Sequence, residues 1–556
     1  MKHKKNEIFF VGFFMAILSL MDLGNARAAW SPIIGIPEPP FGINEIAPAT
    51  PIPWNSDTSG FYYVCQSCPG TTNSGRTYGN PTAPRASIPS TLPAGSIVEL
   101  HGTYTAVMDP FQINGTVGNP VFIRGVDSNN IPLIKAPWYP KGSYYIIENV
   151  HFTDSGDNAT AGKIYMVSPS DHVVLRNSEV DGNANAGGLG VLSWDTNAIS
   201  YAVINNNKIH NNGDVNASYD QDIHGVAVGA RAQYVWITNN ELYANSGDGI
   251  QINAGSLSNM ASTHHIYVGK NISHGNKQSG MWTKQAVNVI FSQNTIYNHR
   301  ASNSSPNGPC TGFQYGPENV WFLYNNISDC DTGIGMFSTS GLGNGVNTYV
   351  VGNVIHNIHP TSAWDAANTY SNAAITTWGG VNRYIINNTI YDYSGGIYVT
   401  NPDSPIKFEN NIMANRTDQN GRDIFLSASV AVNSGTTLFN NNIYTSSQRI
   451  QWGSNTIYTL PSFQSTFPTK GTGSINTNPN FVSPTNNNFR LMSNSPAKDA
   501  GLLSSVYNTF QNLYGMSIAV DSDRNPRPLG NNWDIGAYEI YSDNKVPVPP
   551  FRLDIK

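Results

Sequence analysis

A short strand-like run, closed by asparagine and an aliphatic residue two positions later, recurs through the middle of this chain. It occupies Val173–Val180, Val203–Ile209, Val235–Leu242, Val289–Ile296, Trp321–Ile327, Tyr349–Ile355, Tyr384–Ile390, Ile406–Ile412 and Thr437–Ile443. The asparagines that hold one place in the unit are Asn207, Asn240, Asn294, Asn325, Asn353, Asn388, Asn410 and Asn441. A second run alternates with the first and usually opens with glycine: Gly225, Gly249, Gly280, Gly312, Gly333 and Gly396, with a shortest spacing of 21 residues. One coil of strand, turn, strand and turn cannot bury its own apolar side. Coils stacked at about 4.8 Å bury one continuous core. Stacking also lays each turn over the one below, where side-chain amides that both donate and accept can bond up the column. A propeller would need about twice this period, and the leucine consensus of a leucine-rich solenoid is missing. The expected fold class is all-β, a right-handed parallel β-helix of roughly a dozen coils with an asparagine ladder.

Composition agrees. The 69 asparagines outnumber the 66 charged residues, and the net charge of −6 gives no basic footprint for nucleic acid. A hydrophobic share of 39% with 11% aromatics argues for a packed core rather than disorder.

The chain opens with three lysines in Met1–Lys5, a 13-residue apolar run at Ile8–Leu20, and Ala26-Arg27-Ala28 as a small-x-small cleavage pattern. Residues 1–28 therefore read as a cleaved signal peptide, too short in its apolar part to span a bilayer, and no other stretch suits a transmembrane helix. Residues 29–96 read as a Pro-rich leader and N-terminal cap, 97–446 as the β-helix, and 447–556 as a capping tail. A secreted protein meets oxidising conditions, so Cys65 with Cys68 is expected to form a small disulfide. Cys310 and Cys330 fall on neighbouring coils near one corner, where a bond across one rung is good geometry. The protein is expected to be a monomer.

These repeats resemble the pectate-lyase-like superfamily over roughly Ile97 to Ser446. The stretches Asn494–Gly501, Asp521–Pro528 and Asp534–Glu539 resemble the sorting-anchor-type tail of secreted bacterial β-helix proteins. Physically, such a tail should cap the open edge of the last coil. The paired-Asp motif of polygalacturonases and the Asp-Pro-His-Asp signature of mannuronan epimerases are not present.

Alternate residues of a strand face outward. The outward column after the opening glycines reads Ala227, Gln251, Trp282, Gln314, Gly335, Thr376 and Tyr398, with Lys284 and Trp378 two residues on. Aromatic faces and amides suit a sugar chain, so Gln251, Trp282, Gln314, Trp378 and Tyr398 are candidate substrate contacts. The charges of this charge-poor chain gather over a few coils: Asp214, Asp220, Asp222, His224, Asp248, Lys277, Lys284, His299 and Arg300. The superfamily resemblance implies a lyase scheme in which Lys and Arg act with a carboxylate-bound calcium. In it Lys284 is the base, Arg300 clamps a uronate carboxylate, Asp222 and Asp248 hold calcium, and His224 is a further catalytic candidate. The expected activity is a polysaccharide lyase on uronic-acid chains. An inverting hydrolase using Asp222 and Asp248, or a non-catalytic glycan binder, are the alternatives.

Overall fold

The computed structural model describes residues 30–540 except 52–53, 55–57, 154–162, 186, 339–342, 344, 361–371, 401–405, 428–436, 440–441 and 445–447. The expected signal peptide and Asn441 lie outside the described residues.

Each coil carries three strands, not the two expected. One coil runs Val226–Val228, Ala232–Thr238 and Glu241–Tyr243; the next runs Ile250–Asn253, His264–Gly269 and Ile272–His274. The pairing is parallel and coil on coil, with Val226 opposite Ile250, Val235 opposite Ile266 and Leu242 opposite Ser273. The lone aliphatic after the asparagine thus belongs to a third strand, three residues long in the central coils and there too short to display alternation. The third sheet has 13 strands among the described residues. The first two faces are continuous because Trp138–Glu148 runs through both. Stacking begins at Phe61–Val64 on Ile97–Leu100 and continues to Ile450–Trp452 on Ile424–Leu426. The coil stack therefore exceeds the expected 97–446 at both ends. Inward residues such as Val235, Ile237, Ile266, Val268, Val289 and Phe291 are fully buried in one core along the axis.

The asparagine ladder stands at the turn between the second and third sheets. It runs Asn207, Asn240, Asn271, Asn294, Asn325, Asn353, Asn388 and Asn411, each Nδ2 donating to the next Oδ1. The same Oδ1 also accepts the preceding asparagine's backbone N–H. Two memberships differ from expectation. Asn271 belongs, although the residue two places on is Ser273 rather than an aliphatic. Asn411 replaces Asn410, because Met413 and not Ile412 pairs with Ile390. Asn410 instead takes the left-handed position just before the ladder, with φ 58°, as do Asn206, Asn239 and Asn387. There it binds the tail: its Nδ2 donates to the Leu502 carbonyl at 2.7 Å, and its Oδ1 accepts the Leu502 N–H at 3.0 Å.

The outer faces fare differently. Outside the second sheet, Val174, Val203, Trp236, Tyr267, Ile290 and Trp321 form an apolar stripe. An N-terminal strap (Ile33, Ile36, Phe41, Ile43) and the helix Ser505–Tyr514 cover it. Arg176 fastens the strap by donating to the carbonyls of Gly42, Ile43 and Glu45 at 2.7, 3.2 and 2.7 Å. The two ends meet there: Arg524 donates to the Pro32 carbonyl at 2.6 Å and to Gln293 Oε1 at 2.9 Å, and Gln293 Oε1 accepts the Ile34 N–H at 3.0 Å. The last coil is plugged by the helix Leu460–Thr466, whose Phe463 lies 5.3 Å from Trp452. The motif-bearing tail does not cap that coil as expected. It folds back along the third sheet, packing Phe481 and Phe489 on Tyr391. Both expected disulfides are formed, and Cys310–Cys330 has a Cα separation of 5.7 Å.

Candidate functional site

The outer face of the first sheet carries the long insertions. Register places Ala227, Gln251, Trp282, Gly312, Gly335, Thr376 and Tyr398 in one outward column. Asn253, Lys284, Gln314, Phe337, Trp378 and Thr400 form the next. Gln314 therefore neighbours Lys284 and Phe337, one column away from the expected place. The cause is Cys310, which occupies the position of an opening glycine: its carbonyl accepts the Gly280 N–H at 2.9 Å, so Thr311 rather than Phe313 pairs with Met281.

A groove of about 590 Å³ lies over these columns. Trp282, Phe337 and Trp378 make its floor, with ring centroids 5.8 and 5.0 Å apart in succession. Two glycines make that floor possible. A Cβ on Gly312 would lie 2.7 Å from the Trp282 ring and 1.8 Å from the Gly335 carbonyl oxygen, and one on Gly335 would lie 2.8 Å from Phe337. The walls are the insertions around Asp220 and Ser304–Asn307. Lys277 ties the first insertion down by donating to the carbonyls of Ala217 and Tyr219 at 2.5 and 2.9 Å, and Asn303 links the two by donating to the Ser218 carbonyl at 2.6 Å. The loops are thus tied to the coil below by the buried Lys277 and to each other by Asn303.

Asp220, Asp222, Asp248 and Lys284 line the groove. His224 stands behind the aspartates. Its Nδ1 accepts the Asp248 backbone N–H at 2.9 Å, which leaves the proton of the neutral ring on Nε2, 3.5 Å from Asp222 Oδ1. Asp248 Oδ2 lies 3.6 Å from Nδ1, while its carboxylate accepts from the Ser279 hydroxyl at 2.5 Å and from Gln251 Nε2 at 3.0 Å. Asp222 and Asp248 therefore each face one nitrogen of the same imidazole. Asp220 and Asp222 lie side by side, both accepting from Gln278 Nε2 at 3.0 Å. Two carboxylates joined by a neutral amide fit the oxygen preference of calcium. Among the described residues no group of three or more His, Cys, Asp or Glu is placed to hold a metal ion.

Three candidates stand elsewhere. Gln251 is buried below the groove, its amide donating to Asp248. Arg300 does not reach the groove; it donates to the buried Asp331 at 3.2 Å and to the His359 carbonyl at 3.0 Å, stitching a corner. Tyr398 is 1% exposed, and its hydroxyl accepts the Arg422 N–H at 3.0 Å. Burial pushes its hydroxyl up to about 12, and it offers no face to a ligand. Lys284 keeps its place on the groove, 5.6 Å from the Tyr315 ring centroid.

Residues 138–302 match the family described as "Right handed beta helix region". The fold is a right-handed parallel β-helix. This is the architecture of the pectate-lyase-like superfamily that the repeats resemble. Among solved structures, pectate lyase Pel9A is similar at 14% identity over 87% of this chain and 97% of that one, with a TM-score of 0.40. A mannuronic-acid-specific family 6 polysaccharide lyase from human gut microbiota is similar at 13% over 71% and 88%, TM-score 0.38. The Dettilon tailspike protein gp208 is similar at 12% identity, TM-score 0.37; the match covers 64% of this chain and spans only 62% of the tailspike. No curated protein matches the sequence. Identities this low leave the chemistry of this β-helix to be argued from its groove.

Sequence reasoning passed over Gln278 and Ser279, which hold three of the β-helix's groove carboxylates between them. A signal existed: both directly precede the opening Gly280, one coil beyond Asp248. Among the described residues no helix is long and apolar enough to cross a membrane.

Proposed function

We propose that the protein is a secreted polysaccharide lyase that cleaves a uronate-containing chain by β-elimination on the first sheet. The observation that carries this reading is Lys284, an ammonium standing on an aromatic groove floor beside carboxylates. β-Elimination needs a base at the C–H next to the uronate carboxylate, and that carboxylate must be neutralised for the proton to leave. Lys284 takes the C5 proton; the electron pair of that C–H bond forms the C4–C5 double bond as the C4–O bond breaks, and the departing oxygen takes a proton from water. Calcium held by Asp220 and Asp222 would supply the neutralising charge. Trp282, Phe337 and Trp378 stack on apolar sugar faces, and the Gln314 amide meets hydroxyls. His224 positions Asp222 and Asp248. Secretion is supported by the leader at residues 1–28 and by the two disulfides, which belong to an oxidising compartment.

The protein incubated with uronate polymers and calcium should release products that absorb in the near-ultraviolet, as unsaturated uronates do. Lys284→Ala should lose this activity while keeping its melting temperature within a few degrees, because a partly buried lysine outside the core contributes little to stability. Chelation should abolish turnover and added calcium restore it. New reducing ends without absorbance would replace this reading with a second one, inverting hydrolysis. That reading is favoured by Asp222 and Asp248, two carboxylates that line the groove on either side of His224, since inversion needs one acid and one base.

A further inference from the structure

The outward column that holds Trp282 continues N-terminally through Gln251, Ala227 and Gly190 to Tyr165. There a second set of rings stands on the same face. Tyr165 lies 6.0 Å from Tyr139, and Tyr139 lies 4.9 Å from Trp194, centroid to centroid. Trp194 is 54% exposed, yet its turn is firmly held. Its N–H donates to the Ser168 hydroxyl at 3.0 Å, and that hydroxyl donates to Asp195 Oδ1 at 2.7 Å. Asp195 Oδ1 also accepts the Asn197 N–H at 2.8 Å, and Arg231 donates to the Asp195 carbonyl at 3.3 Å. An exposed indole on a cross-linked turn is already ordered for contact, so binding there costs little further ordering.

The charge around these rings is opposite in sign to that of the groove. Lys163 Nζ lies 5.3 Å from the Tyr165 ring centroid. The Ser168 hydroxyl, the Asn197 N–H and side chain, and then nearby Lys141 hold the Asp195 carboxyl below its usual range. Among the described residues Lys141, Lys163 and Arg231 thus stand with Asp195, whereas the groove sets Asp220, Asp222 and Asp248 against Lys284. Between the two regions the column holds Gln251, Ala227 and Gly190. The Tyr165 ring lies over Gly190, where a Cβ would come within 2.8 Å of it.

We propose that Tyr139, Tyr165 and Trp194, flanked by Lys141, Lys163 and Arg231, form a second glycan-binding site. It grips an anionic polysaccharide chain about 19 Å, four β-spacings, from Trp282 and in line with the groove. Rings give it contact with sugar faces. The surrounding cations select chains that carry carboxylates or sulfates. The site stands on its own rings and charge, and it holds whichever way the groove cleaves.

Affinity electrophoresis in gels containing polygalacturonate, alginate or neutral hydroxyethylcellulose tests this. The starting protein is Trp282→Ala with Trp378→Ala, whose groove has lost two of its three floor rings. At least one anionic polymer should retard it, added salt should relieve the retardation, and the neutral polymer should have no effect. Adding Trp194→Ala should weaken the interaction about tenfold, the scale of one lost stacking contact. Lys141→Glu with Lys163→Glu should remove it, with unchanged melting temperatures showing that both variants fold. Retardation untouched by Trp194→Ala, equal retardation by the neutral polymer, or none by either anionic polymer would overturn the site. Absence of cleavage by the wild-type protein with this binding intact would instead count against the lyase reading alone.

Discussion

At the scale of single residues, stability rests on side chains whose partners lie one coil away. Asn271 receives the backbone and side-chain N–H groups of Asn240 and donates to Asn294 and to the Ile237 carbonyl. Asn271→Ala should therefore destabilise by roughly 1 to 3 kcal/mol, read from the denaturant midpoint, because buried donors on Asn240 lose their acceptor. His299 is a different case. It is fully buried with Nδ1 and Nε2 facing the carbonyls of Asn276 and Ser273, and desolvation pushes its pKa down to about 4. Its folded value lies below its unfolded value of about 6.5, so the unfolded chain binds the extra proton first. Stability should be undiminished above about pH 6.5 and fall as the pH drops toward 4, by roughly 3 kcal/mol from this residue. His299→Gln should flatten that part of the profile of melting temperature against pH; an unchanged slope would place the acid sensitivity elsewhere.

At the scale of elements, the disulfide and the register belong together. Cys310–Cys330 closes a coil with a sequence separation of 20 residues. Removing it as a Cys310→Ala, Cys330→Ala pair should cost about 3 kcal/mol, the loop-entropy value for a ring of this size, visible as a lower unfolding midpoint. Mass analysis of unreduced peptides should show both disulfides. The repeat made the second strand and most of the ladder legible, since from Ile199 to Ile386 each such strand spans six or seven residues and is followed by one fixed asparagine. It could not reveal the third strand, only three residues long in the central coils, nor Asn271, whose following position holds Ser273. The groove was legible where the register was. Trp282, Lys284 and Trp378 stand as read, and Gln314 shifted because Cys310 sits where neighbouring coils have glycine. Arg300 and Tyr398 were read as outward groups; partners distant in sequence, Asp331 and Arg422, draw them into a corner and under the sheet edge. Periodicity carries no trace of such contacts.

At the scale of the whole molecule, the three outer faces divide the work. The third is overlaid by the returning tail, the second is sealed by the strap and the helix Ser505–Tyr514, and the first presents its rings and charges. Deleting residues 30–47 should uncover Val174, Val203, Trp236, Tyr267 and Ile290 as one apolar stripe. The truncated protein should bind a hydrophobic dye and self-associate, as contiguous exposed apolar surface does. A truncated protein that stayed monomeric and dye-negative would show the strap to be dispensable. The strap also bears on how the protein responds to force. A solenoid pulled at its ends can unravel one coil after another, since each coil is held only by its neighbours. Here the two ends meet at Pro32, Gln293 and Arg524, far from either terminal coil. Tension between the ends falls first on that junction and on the row of bonds from Arg176, in shear, while the coils carry no load. Over its described residues the chain is built as a closed loop with a latch rather than as an open spring.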